Sequence, residues 1–181
     1  LSTMTPKELK NKKLLDSFNA LIGLLKEKKL TAISVTELCA TAQVSRTYYY
    51  HNFSSFADII SQYEILSIIQ YMRGLPNKIH LTVTTMITHY FQLAANAADA
   101  QLVLINNDKG SALINAFTTA YLYLLKNDII LKSGYKRLGQ KYWAEFMAGA
   151  VINMSVRWLQ EGMPETPEYM GKLVASFVQA K

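Results

Sequence analysis

Apolar residues recur every three to four positions along most of this chain, and nowhere do they alternate with polar ones over the length of a strand. That period predicts helices throughout, an all-α fold. The first helix runs from about Lys7 to Lys28. It stacks Leu14, Phe18, Leu21, Ile22 and Leu25 on one face, with lysines and asparagines opposite. After the Lys28-Lys29-Leu30 corner two short helices are expected. One spans about Val35 to Ala42, opened by Ser34 with Glu37 three residues on, the spacing of a capping box. Its apolar residues Val35, Leu38, Cys39 and Ala42 share a face. Gln43 and Val44 make the turn, and Ser45 caps a second helix that carries Arg46, Thr47, Tyr48, Tyr49, Tyr50, His51 and Asn52.

Further helices are expected at about Ser55 to Met72, Ile79 to Ala97, Ala98 to Asn106, Lys109 to Lys132, Leu138 to Glu161 and Pro167 to Ala180. Asp108 is expected to cap the long helix after it, and Gly134 to stop the chain before the next. Gly74-Leu75-Pro76 is the strong break in mid-chain. The expected division is therefore a head of three helices over 1–54, a linking helix over 55–73 and a helical body over 74–181. The last two helices carry broad apolar stripes, Met147, Val151, Met154 and Trp158 on one and Met170, Leu173 and Phe177 on the other. The small residues Ala148, Gly149 and Ala150 permit close helix approach. The stripes suit either packing within one protomer or a four-helix interface between two.

The candidate chemistry lies between Ile33 and Phe53. Two short helices joined by a tight turn form the helix-turn-helix unit, whose second helix enters the DNA major groove. Tyr49 and Phe53 are four apart and can pack inward with Val44 and Leu38, leaving Arg46, Thr47, Tyr48 and Tyr50 outward. Arginine at the N-terminal end of such a helix can bond bidentately to guanine. Thr47 can meet a base or a phosphate. Thr36, Ser45, Tyr48, Tyr50, His51 and Asn52 are candidates for backbone or mixed contacts, which fix register without reading sequence. The competing reading is a helical hairpin with tyrosines at a protein interface.

This region, from Leu14 to Ile60, resembles the TetR family of bacterial transcriptional regulators. The matching residues are Leu30-Thr31-Ala32-Ile33-Ser34-Val35, Glu37-Leu38-Cys39, Ala42-Gln43-Val44-Ser45-Arg46, Tyr49-Tyr50-His51-Asn52-Phe53 and Asp58-Ile59-Ile60. The resemblance implies a helix-turn-helix head on a helical ligand-binding and dimerisation body. It also implies a homodimer, with Met147, Val151, Met154, Trp158, Met170, Leu173 and Phe177 of the last two helices at the interface, on double-stranded, palindromic operator DNA, and a repressor released by a small apolar or aromatic effector. A co-activator or scaffold whose body binds a protein partner is the alternative. Arg157 to Glu168 resembles the C-terminal end of a subgroup described as regulating dihydroxyacetone kinase genes. Three departures stand out: Gln43 replaces the usual turn glycine, Asn52 a histidine, and Phe56 a lysine that meets phosphate. Losing that lysine predicts a shallower salt dependence of DNA binding. Candidate effector contacts are side chains with an apolar body and a polar tip: His89, Tyr90, Tyr121, Tyr123, Tyr142 and Trp143. Each can equally be a core or surface aromatic.

Charge sharpens the picture only by its distribution. The net charge is +6, and residues 1–53 hold eight basic against four acidic side chains, so most of the excess lies beside the proposed reading helix. Lys7, Lys10, Lys12 and Lys13 could reach phosphates or could simply be solvated. One cysteine excludes an internal disulfide and fits a reducing, cytoplasmic setting. No apolar run of membrane-spanning length and no secretory leader is evident, so no membrane association is expected. The histidines His51, His80 and His89 lack metal-ligand spacing, and no phosphate-binding glycine loop or nucleophile elbow occurs. Neither an enzyme, a cofactor nor a metal is expected.

Overall fold

Thr5 closes a reciprocal cap on the first helix. Its hydroxyl accepts from the Glu8 amide at 3.3 Å, while the Glu8 carboxylate accepts from the Thr5 amide at 2.7 Å. The structure is a computed structural model that describes residues 4–76 and 80–179. Among these, helices occupy α1 (Pro6–Glu27), α2 (Val35–Ala42), α3 (Arg46–Asn52), α4 (Phe56–Gly74), α5 (Val83–Asn96), α6 (Ala98–Asn106), α7 (Ser111–Lys126), α8 (Trp143–Gln160) and α9 (Pro167–Val178). A short 3-10 turn over Leu30–Ala32 joins α1 to α2. Side-chain caps open α2, α3, α4, α5 and α9 from Ser34, Ser45, Ser55, Thr82 and Thr166. Each such cap is worth roughly 1 kcal/mol.

The fold is all-α, as the periodicity predicts, but two expected helices are too long. Helix α7 ends at Lys126 rather than near Lys132, because Asn127 turns its side-chain amide back onto the Tyr123 carbonyl at 2.8 Å and Asp128 adopts φ 51°. The chain then runs extended. Ile130 forms an isolated parallel bridge with Leu81, through Leu81 N–H to Ile129 O and Leu131 N–H to Leu81 O, both 2.8 Å. Leu81, Ile130 and Leu138 are buried, so apolar side chains that fit a helical period instead fasten a loop. Helix α8 accordingly begins at Trp143, not Leu138. Asp108 does not cap α7: it sits in the preceding turn at φ 58°, and the cap position is Gly110, with no side-chain bond. Gly134 lies in the loop at φ 82°. The expected start of α5 at Ile79 and end of α9 at Ala180 fall outside the described residues. Helix α5 opens at Val83 behind Thr82, and α9 is helical to Val178.

Buried apolar residues form two clusters. One gathers α1, α2, α3 and the first half of α4 around Phe18, Leu21, Leu38, Tyr49, Phe53 and Ile59, and is completed by Val103, Leu104 and Ala112. The other joins the end of α4 to α5, α7, α8 and α9 around Ile87, Phe91, Tyr121, Met147, Val151 and Trp158. Helix α9 packs most extensively on α5. The crossing is close because of Gly171: a Cβ there would stand 2.0 Å from Thr88 Oγ1 and 2.9 Å from the Thr84 carbonyl.

Candidate nucleic-acid interface and internal cavity

Helix α3 has seven residues, too few to persist alone. Its inner side holds it in place. Tyr49 and Phe53 are buried against Leu38, and Phe56 meets the Tyr49 ring at 6.0 Å in an edge-on arrangement. Phe56 thus buttresses α3. Ser45 Oγ accepts from the Tyr48 amide at 3.0 Å and fixes the helix start. The turn before it needs a left-handed residue, and Gln43 supplies one at φ 55° and ψ 38°. A non-glycine side chain there costs about 1 kcal/mol, so the turn geometry is kept and the strain accepted.

With the inner side anchored, Thr36, Ser45, Arg46, Thr47, Tyr50 and His51 are exposed. Tyr50 is 61% accessible, and the Arg46 guanidinium rests 6.0 Å from its ring centre. One member of the expected outer face, Tyr48, and one further contact candidate, Asn52, are instead half-buried and engaged within the head. Tyr48 is half-buried, edge-on to Phe53, with the Lys13 ammonium 4.8 Å above its ring. Burial pushes its phenol pKa up. Asn52 donates its amide to the Tyr48 carbonyl at 2.8 Å. Around this face, Lys12 pairs with Asp16 at 2.7 Å and Lys28 with Glu37 at 2.5 Å, whereas Lys7, Lys10 and Lys29 have no carboxylate partner among the described residues. Cys39 is buried, which pushes its thiol pKa up and holds it protonated.

The apolar stripes of α8 and α9 divide between two roles. Met147, Val151, Trp158 and Met170 are buried inside the protomer, a correction to their placement between subunits. The indole of Trp158 even donates to the Glu165 carbonyl at 3.0 Å. Met154 and Leu173 are half-buried, and Phe177 is 67% accessible. The outer surface also carries Phe146, 57% accessible, and Tyr169. Gly149 has open space beyond its Cα. Of the stripe residues expected at an interface, only Met154, Leu173 and Phe177 retain a face to offer.

A cavity of about 310 Å³ lies among α1, α4, α5, α6 and α7. Tyr90 and Tyr121 line it, as the sequence suggests for effector contacts. His89, Tyr142, Trp143 and Tyr123 do not. His89 Nε2 lies 3.0 Å from the Tyr71 carbonyl, and Tyr142 stands on the surface, 68% accessible. Trp143 packs on the body core from the other side. Burial pushes the Tyr121 phenol pKa up to about 12, and its hydroxyl donates to the Leu138 carbonyl at 3.1 Å; the Trp143 indole N–H has no hydrogen-bond partner among the described residues. The buried hydroxyls of Tyr90 and Ser155 have no hydrogen-bond partner among the described residues. The sequence gives no hint of Phe18, Tyr63, Gln101 or Phe117 as lining residues. Glu64 could have been noticed, as an acid set between Tyr63 and Ile65 on an otherwise apolar part of α4.

Among the described residues no group of histidines, cysteines and carboxylates could hold a metal. No helix among them is long and apolar enough to cross a membrane.

Solved structures share this architecture. The chain superposes on the Lin0861 protein of Listeria innocua with a TM-score of 0.74 at 17% identity, covering 98% of this chain and 97% of that one. It matches the dihydroxyacetone kinase operon activator DhaS at 0.64 and 12% identity, over 92% and 93% of the two chains. The fatty acid degradation regulator FadR of Bacillus halodurans follows at 0.60 and 10%, over 90% and 96%. At such identities the likeness is one of fold. No curated protein matches the chain. Residues 82–180, more than half its length, match the family model TetR_C_8, described as a transcriptional regulator C-terminal region. With the helix-turn-helix head ahead of that region, the chain belongs to the TetR family of transcriptional regulators.

Proposed function

We propose that this regulator is a homodimeric repressor, released from a palindromic operator when a small molecule fills the cavity. The carrying observation is that Arg46, Thr47, Tyr50 and His51 stand exposed on a helix whose opposite side, Tyr49 and Phe53, is fixed in the core. A buried anchor makes the outer face rigid, as reading base edges requires. Arg46 and Thr47 are assigned to base edges, and Thr36, Ser45, Tyr50 and His51 to the sugar–phosphate chain. Tyr48 and Asn52 act mainly by shaping the helix, since their polar or aromatic surfaces are engaged within the head.

Residues 1–54 serve as the head, 55–73 as the link and 74–181 as the body. The cavity is suited to couple them. Phe18 and Leu104 belong both to its wall and to the core beneath the head, and Tyr63 stacks on Phe18 with ring centres 3.5 Å apart. A ligand that wedges these rings changes the packing under α1 and α4, and it shifts the equilibrium only as far as it prefers one arrangement. The outer surface of α8 and α9, with Phe146, Met154, Tyr169, Leu173 and Phe177, serves as the dimer face, because two heads related by a two-fold axis match a two-fold operator.

A gel shift with the DNA upstream of the protein's own gene tests the reading. Wild type is expected to bind it specifically. Arg46→Ala is expected to lose about 1–3 kcal/mol and to relax preference at one base pair. Unchanged affinity and specificity in that variant would remove Arg46 from the base-reading role.

A further inference from the structure

The cavity wall has a chemical bias that the effector reading leaves open. Its lining holds six aromatic rings, those of Phe18, Tyr63, Tyr71, Tyr90, Phe117 and Tyr121. Among the described residues it holds one ionisable carboxylate, Glu64, and no lysine, arginine or histidine. Glu64 is half-buried and forms no ion pair among the described residues. The Glu64 carboxylate can accept a hydrogen bond, and aromatic faces attract cations.

We propose, resting on the effector reading above, that the cavity selects a protonated amine carried on an apolar body. The ammonium meets Glu64, while the aromatic rings enclose the body. An anionic ligand would meet a carboxylate with no cation to balance it. A wholly apolar ligand would seal the half-exposed Glu64 from water without a partner, which costs free energy. An ammonium turns that liability into a charge-assisted contact. Burial raises the Glu64 pKa to about 7, the behaviour of a carboxyl that lacks its counter-ion. The other titratable groups on the wall are the tyrosines, whose hydroxyls burial pushes further from ionisation at Tyr71, Tyr90 and Tyr121.

Three matched probes test this on the full chain: tryptamine, the neutral alcohol tryptophol and the anion indoleacetate. Each is titrated calorimetrically at neutral pH into wild type and into Glu64→Gln, which keeps the side chain's shape. Tryptamine is expected to bind wild type about tenfold or more tighter than tryptophol, with indoleacetate weakest. In Glu64→Gln the advantage of the amine should vanish while tryptophol is unaffected. Equal binding of amine and alcohol, preference for the anion, binding of none of the three, or an amine advantage that survives Glu64→Gln would each overturn the proposal. A parallel gel shift separates it from the effector reading. Amine selectivity without release of DNA keeps the cation site and rejects the effector role. Release of DNA by all three probes alike keeps the effector role and rejects the cation site.

Discussion

Glu64 shows how one side chain can carry information that its neighbours in sequence conceal. In the unfolded chain its pKa is near 4.5, and in the fold burial raises it to about 7. Below the lower value the group is protonated in both states and costs nothing. As pH rises between the two values the unfolded chain gives up the proton first, so native stability falls. The penalty is complete above the folded value. Glu64→Gln removes it, so the variant should melt higher than wild type at pH 8 and level with it at pH 4. A melting series across that range would refute the assignment if the gap did not open with pH. Gln43 and Ser45 were legible in the sequence, because a turn residue and a cap act on their own backbone. Tyr48 and Asn52 were not: helical spacing turns Tyr48 outward and is silent on Asn52, whereas in the fold Lys13 covers the Tyr48 ring and the Tyr48 carbonyl takes the Asn52 amide.

Helices follow local rules where caps and periodicity agree. Ser34, Ser45, Ser55, Thr82 and Thr166 all stand at the starts of helices and accept from their first turns. Between α7 and α8 the same periodicity misleads, because Ile130 and Leu138 are buried by a loop rather than by a helix face. An apolar residue reports that it is buried, not by which backbone. The α5–α9 crossing holds a second hidden constraint. Nothing in the local sequence marks Gly171 as a contact point, yet a Cβ there would strike Thr88 and the Thr84 carbonyl. Thr88 could turn away, but the α5 backbone would have to shift as well. Gly171→Ala is therefore expected to destabilise the body by about 1–3 kcal/mol. Denaturant unfolding checks this, and an unchanged midpoint would mean that the helices separate at no cost.

Assembly depends on which part of each stripe the protomer uses for itself. Met147, Val151, Trp158 and Met170 are consumed by the protomer's own core, which leaves Phe146, Tyr169 and Phe177 to face outward. If that surface is the dimer face, a charge at its exposed end should disrupt it. Phe177→Glu is expected to weaken self-association by ~2 kcal/mol or more, the scale of a hot spot, and operator affinity with it. Sedimentation equilibrium reads the first effect and a gel shift the second. A dimer as tight as wild type would move the interface elsewhere.

The sequence by itself determined the helical class, the helix-turn-helix head and the outward turn of Arg46, Thr47 and Tyr50 on its second helix. These follow from spacing, capping and short-range packing, which are set within a few residues. Tertiary structure decided which stripe residues are core and how the loop after α7 is fastened. It also decided that the Glu64 carboxylate on α4 shares a cavity wall with six aromatic rings drawn from four helices. Those outcomes depend on which helix faces which, a choice made by long-range burial that no local pattern records.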